Sequence, residues 1–465
     1  MIRVTTLHAS TASTTARYYT KYLAGESEEI PGQWTGRQAD RFGLTRTVST
    51  DDLERLLSGQ DPVTGEQLGF PLTDRTTASG KVVRAVSGFD ATVSAPKSVS
   101  VLWALTGDDG FAEAHDAAVQ SVLTHLERFG ATTRVRSNGG RLHLDTEGLT
   151  VAAFRQSTSR ADDPQLHTHL VISGKVQTED GRWLALDARM LKRHQRTLGG
   201  IYQSVLRAEL THRYGLAWGE IFKGQAEIAG VPTELLEQFS KRTAQVDDAM
   251  AVKLADFHKG EGRDPTTWER AAMTREAAAD TRDHKSDHTL DQIRPVWIEE
   301  ANTLGHTPDT LIASVRNAAR VQPAAEMAWF REVADVLTAS ASAWNREDVV
   351  RAFCDVQRPL PGFDGRRWAA GIEKATDQFI STCVNLDPEH TRARRVRESD
   401  SRSEWIEPVA AQFTMPWILD EENQILDWAH DAQLKNRHRR QLSRTGSWTR
   451  CNGQPRRPSR ATTVW

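Results

Sequence analysis

Alternation of polar and apolar residues in IRVTTLH (2–8) predicts an opening strand. STASTTARYYTKYLAG (10–25) follows, with Ser/Thr capping candidates, helical spacing and a terminating glycine, and its spacing places Tyr18 and Tyr22 on one helical face. PGQWTGRQADRFGL (31–44) reads as turn-rich, and DDLERLLSGQDPVTGE (51–66) as a short helix running into a loop. A second strand is expected in VVRAVSGFDATVS (82–94), then a helix starting near Pro96 in APKSVSVLWAL. From 111 to 129, Ala118, Val122, Leu126 and Phe129 recur at helical spacing. Strands at about 149–156 and 167–173 flank a polar, Pro-containing connection, and GRWLALDA (181–188) adds another strand before the helical TLGGIYQSVLRAELTHRYG (197–215).

Beyond residue 230 the strand signals fade, and 233–257 and 326–342 read as helices. The pattern indicates an α/β or α+β domain followed by a mainly helical C-terminal region. At 465 residues, two or three units are expected.

Composition narrows the function classes. The mean hydropathy is -0.54, and the longest apolar runs, such as VSVLWAL, fall far short of a membrane span. The amino terminus lacks an apolar signal core, and Cys354, Cys383 and Cys451 are too few and scattered for a disulfide framework, so a cytoplasmic protein is expected. A net charge of -3 argues against a uniformly basic nucleic-acid binder, but local patches matter more to a polyanion. RMLKRHQR (189–196) is one patch. The acid-free stretch after Asp431, with Lys435, Arg437 and seven further arginines, is a second, expected to be a disordered tail.

The candidate chemistry centres on DPQLHTHLVIS (163–173). In a strand His167 and His169 share one face. A bare His-x-His is as readily a pair of half-exposed strand residues that bind nothing. If the neighbouring strand TVAAFRQ (150–156) pairs in suitable register, Gln156 joins them, giving two imidazoles and an amide oxygen suited to a borderline or hard divalent cation. Tyr18, Tyr19 and Tyr22 gather more than half of the 5 tyrosines of the chain into one short stretch. A phenol with a pKa of about 10 becomes a useful nucleophile once deprotonated, and a metal polarising a phosphodiester lowers the barrier to attack. Packing of the first helix would explain the same tyrosines.

In their order along the chain, ARYYTKYL, GQWTGRQADRFGL, GFDATVSAPKSVS, TSRADDPQLHTHLVIS, GRWLALD and EQFSKRTAQV resemble the relaxase domain of TrwC/TraI-like (MobF-type) conjugative relaxases, members of the HUH endonuclease superfamily. The resemblance covers roughly the first 300 residues. It implies an α+β fold, with a central antiparallel sheet flanked by helices in a palm-like relaxase domain over 1–300 and a helical connection over 301–432, which leaves the basic tail over 433–465 outside the resemblance. It also implies strand-specific nicking and rejoining of single-stranded, hairpin-bearing origin-of-transfer DNA through a 5′-phosphotyrosine. Tyr18, first of the pair with Tyr19, matches the nucleophile; Tyr22 is a candidate second tyrosine. His167 and His169 match metal ligands, and Asp90 matches the acid that orients a ligand histidine or takes the nucleophile's proton. Relaxosome accessory proteins, a coupling protein and a separate helicase are the implied protein partners.

Two departures qualify this. The family's third ligand histidine falls at Gln156, whose carbonyl oxygen is a harder and weaker ligand than imidazole, favouring Mg²⁺ or Mn²⁺ over Zn²⁺; His143 is a minor alternative ligand. No G-x-x-x-x-G-K-[ST] loop occurs in the sequence, so no ATPase is expected, and the Arg-rich ending reads as a possible truncation scar. Expected DNA contacts are Lys97, Arg160, Lys192, Arg193 and Arg196, with Trp34 or Trp183 stacking on unpaired bases. A catalytically impaired, origin-binding remnant is the alternative to an active enzyme.

Overall fold

The computed structural model describes residues 2–21, 31–45, 47–282, 288–321, 330–356, 362–387, 395–409 and 411–445. Its centre is a five-stranded sheet. The first strand, Ile2–His8, pairs antiparallel with the aspartate strand, Val86–Ser94, which pairs antiparallel with the histidine strand, Pro164–Ser173. The glutamine strand, Val151–Thr158, comes next, and the three-residue Gln33–Thr35 closes the edge. That edge strand arises from the stretch expected to be turn-rich. Three residues are too few to show alternation, so its strand character comes from pairing with Val151, Ala152 and Ala153.

The two faces of the histidine strand meet different layers. Thr168 faces the helices Gly110–His125 and Ala188–Tyr214, where His115 bridges Thr168 (2.8 Å) and Tyr202 (2.6 Å). The helical spacing expected to run to Phe129 instead gives way after His125 to a π-helical turn, Leu126–Gly130. On the opposite face Val171, Phe154 and Ala152 form a cluster with Ala12, Ala16 and Tyr19 of the tyrosine helix, Ala12–Lys21, and with Leu53, Leu56 and Leu57 of the helix Thr50–Leu57. Positions 12, 16 and 19 fall on one side of a helix, which fixes how the tyrosine helix docks and leaves Tyr18 half-buried beside it. Gly32 lies against Phe154, and a Cβ there would come within 2.2 Å of the ring.

Residues beyond 300 were expected to form a separate connection, yet contacts join Met1–Phe413 into one compact unit. The helices Arg346–Val356 and Gly365–Ser381 pack on the long helix Ala188–Tyr214: Arg207 donates to the Cys354 carbonyl at 2.8 Å, and Trp368 to Ser204 at 2.8 Å. Thr414–Trp465 forms a second unit, in which the helix Pro416–Thr445 runs without a break into the stretch expected to be a disordered tail. After Pro416 no proline or glycine interrupts its sequence through the basic residues to Thr445, so nothing in the chain breaks the helix there. No described helix is long and apolar enough to cross a membrane.

Candidate active site

Sheet register brings the metal candidates together. Gln156 is the direct partner of His167, and Phe154 of His169, across one ladder; Ser94 and Thr92 face the same two histidines across the other. Directly opposed residues project to the same face with Cβ atoms about 5 Å apart. Period two along the aspartate strand then places Asp90 on this face as well. The rings of His167 and His169 stand 5.3 Å apart.

Hydrogen bonds set the orientation of each imidazole. His167 Nδ1 lies 2.8 Å from the Gln165 carbonyl oxygen. A carbonyl only accepts, so Nδ1 carries the proton and Nε2 is the nitrogen with the lone pair. His169 Nδ1 lies 2.9 and 3.0 Å from the two oxygens of Asp90, which fixes its tautomer in the same sense. This carboxylate–histidine arrangement is the one that orients a metal-ligating imidazole and raises its basicity. Two Nε2 donors and the amide of Gln156 on one face therefore fit a divalent cation.

The tyrosine pair divides into two environments. Tyr19 is buried, stacks on Phe154 at 5.3 Å, and donates its hydroxyl to Asp90 Oδ2 at 2.7 Å. Burial, reinforced by the Asp90 charge, pushes its phenol well above the ordinary range, so it stays protonated. Tyr19 is thus a positioning residue for Asp90. Tyr18 packs edge-on against Tyr19 at 5.3 Å, and its hydroxyl oxygen accepts from Arg160 Nη2 at 3.1 Å. That charge-assisted hydrogen bond fixes the position of the Tyr18 oxygen. Of the two roles the resemblance implies for Asp90, its hydrogen bonds to His169 and Tyr19 support the orienting one.

Arg160 is held in place from outside the sheet. Its loop, 159–163, is fastened by Trp297, whose Nε1 donates to the Asp162 carbonyl at 2.7 Å, and by the Arg242 amide, 3.3 Å from Asp163 Oδ2. Arg242 and Arg282 also impose their charges on Arg160. Sequence reasoning singled out neither arginine, although Arg242 belongs to the EQFSKRTAQV stretch.

Other candidates lie elsewhere. Lys97 is half-buried and donates to the Pro164 carbonyl at 3.0 Å, so it anchors the start of the histidine strand. Lys192, Arg193 and Arg196 are exposed on the long helix that covers the opposite face of the sheet, with Arg193 3.2 Å from Glu407. The three residues expected to meet DNA phosphates thus sit on a helix apart from the histidine face. Trp34 is buried in the cluster around Phe154, and Trp183 stacks on Phe42 at 5.5 Å. His143 lies on a separate hairpin, Thr132–Ser137 with Gly140–Asp145, away from the main sheet. Tyr22 lies outside the described residues.

Comparisons with known proteins agree with this geometry. The sequence profile of the TrwC relaxase family matches residues 4–304. A multifunctional conjugation protein TraI from Escherichia coli is 32% identical over 310 residues, 63% of this chain but 16% of the relative. Another, from Escherichia coli strain K12, is 33% identical over 229 residues, 48% of this chain and 12% of that protein. The chain thus spans less than a fifth of the curated relatives it matches. Among solved structures, conjugative relaxase TrwC in metal-bound complex with oriT DNA superposes with a TM-score of 0.55 at 28% identity, covering 66% of this chain and all of that one. TrwC with a 27-mer DNA comprising the recognition hairpin and the cleavage site gives a TM-score of 0.54 at the same identity and 66% coverage of this chain. With the ordered motifs, the sheet and the family match over most of its length in agreement, this chain belongs to the TrwC relaxase family.

Proposed function

We propose that this protein is a conjugative relaxase that nicks and rejoins one strand of hairpin-bearing origin-of-transfer DNA through a 5′-phosphotyrosine on Tyr18. The observation that carries the reading is the Tyr18 hydroxyl, held by Arg160 and packed against the Tyr19–Asp90–His169 chain that orients the histidine face. Its partner is origin-of-transfer DNA, as in the TrwC complexes with oriT DNA and with a 27-mer DNA comprising the recognition hairpin and the cleavage site.

His167, His169 and Gln156 would hold the divalent cation, with Mg²⁺ or Mn²⁺ suiting the amide oxygen. When bound, it supplies Lewis-acid polarisation of the scissile phosphate. Tyr18 contributes the attacking oxygen: its O–H proton leaves, a P–O bond to Tyr18 forms, and the bond to the 3′ oxygen breaks as that oxygen takes up a proton. Arg160 holds the nucleophilic oxygen in place through its hydrogen bond, and Asp90 and Tyr19 keep His169 in the required tautomer.

A covalent adduct assay tests this with labelled single-stranded origin DNA, with and without Mg²⁺ or Mn²⁺, beside Tyr18→Phe. A metal-dependent adduct lost in Tyr18→Phe is expected. The glutamine at the third ligand position motivates a second reading, an origin-binding remnant. Hairpin binding without adduct under any cation, restored by Gln156→His, would establish that reading instead.

A further inference from the structure

A second constellation of metal-ligating groups lies outside the candidate active site. His125 ends the helix Gly110–His125, His194 lies on the long helix, and Glu347 opens the helix Arg346–Val356. All three are buried, His194 completely. One potential ligand atom from each lies within 4.8 Å of the others.

The detailed geometry favours a shared ion over simple pairing. Glu347 Oε2 lies 3.0 Å from both His125 Nε2 and His194 Nδ1. Ligand atoms 2.0–2.1 Å from one tetrahedral ion stand roughly 3.3 Å apart. The His194 approach is close but not aligned as a hydrogen bond, and both of its buried ring nitrogens lack one. His125 turns its other nitrogen, Nδ1, to Glu373 Oε1 at 2.7 Å, and Arg346 holds Glu373 at 2.6 Å. A carboxylate behind a ligand imidazole is the usual outer support of a metal site. The π-helical turn Leu126–Gly130 starts immediately after His125, and such turns gather at functional positions. Glu347 lines a cavity of about 960 Å³.

We propose that His125, His194 and Glu347 bind a divalent cation of the zinc class, distinct from the cation of the nicking site. Two imidazoles and one carboxylate form a borderline donor set, and the three ligands leave the fourth tetrahedral position to water. Glu347 lies beyond the family match, whereas both histidines lie within it, so the ion fastens the added helices to the relaxase fold.

The test uses the full chain carrying His167→Ala and His169→Ala, which empties the other donor set. Cobalt(II) is titrated by visible absorption, zinc per chain is measured by mass spectrometry after gel filtration, and Tm is followed with zinc and with chelator. One ion per chain, tetrahedral cobalt bands and a Tm raised by zinc are expected, all lost when Glu347→Gln or His194→Ala is added. In the otherwise wild-type chain Glu347→Gln lowers the zinc count by one. Circular dichroism verifies folding of each variant, and Glu347→Gln, nearly isosteric, guards against a loss through misfolding. A folded double variant that binds neither metal, or binding that survives both added substitutions, overturns the proposal and leaves His125 as a hydrogen-bonded bridge between Glu347 and Glu373.

Discussion

At the residue scale, the division of labour between Tyr18 and Tyr19 follows from partners rather than from chemistry, since the two side chains are identical. Tyr19 is buried on Asp90; Tyr18 is half-buried on Arg160. Tyr19→Phe is therefore expected to leave an adduct that still forms on Tyr18, at a lower rate because Asp90 loses one of its anchors, as read by single-turnover adduct formation. Asp90→Asn removes the anionic partner of His169 and should cost about 10–100-fold in cation affinity or adduct rate, the usual effect of losing an outer-shell carboxylate. Titrating Mn²⁺ against adduct yield measures it, and an unchanged midpoint and rate would refute the orienting role. Gln156→His replaces an amide oxygen with a stronger ligand and should tighten cation binding by about tenfold or more.

The relevant elements are a sheet read in register and a helix docked on it. A slip of one residue between the glutamine and histidine strands would move Gln156 to the other face, so the site depends on the packing that pins the ladder. Phe154 contributes most visibly: it lies opposite His169, stacks on Tyr19 and fills the space that Gly32 leaves open. Phe154→Ala should destabilise the unit by about 3–5 kcal/mol, as for other buried phenylalanines. Because the cavity lies under Tyr19, adduct formation should fall even below the Tm. Urea melts and adduct kinetics on the same preparation separate the two effects.

At the scale of the whole molecule, the family match ends at residue 304, but the compact unit continues to Phe413. Val349, Val350, Phe353 and Trp368 are buried in that continuation, and Arg207 on the long helix is buried with its guanidinium on the Cys354 carbonyl. A chain cut after residue 304 would expose apolar surface on the long helix and leave Arg207 without that acceptor, so its Tm should fall below that of a chain ending at Phe413. Equal melting temperatures would show that the later helices are bystanders. The sequence by itself determined the α+β class, the His-x-His strand face, the tyrosine cluster and the family, because alternation, helical spacing and ordered motifs are local properties of the chain. It also offered Gln156 as a partner of the histidines, conditional on a register it could not supply. Only the tertiary structure decided that register, the contrasting surroundings of Tyr18 and Tyr19, the placement of Arg160, and the separation of Lys192, Arg193 and Arg196 from the site. Each of these depends on contacts between segments far apart in sequence, whose geometry is set by ladder pairing and core packing rather than by the spacing of residues along any one segment.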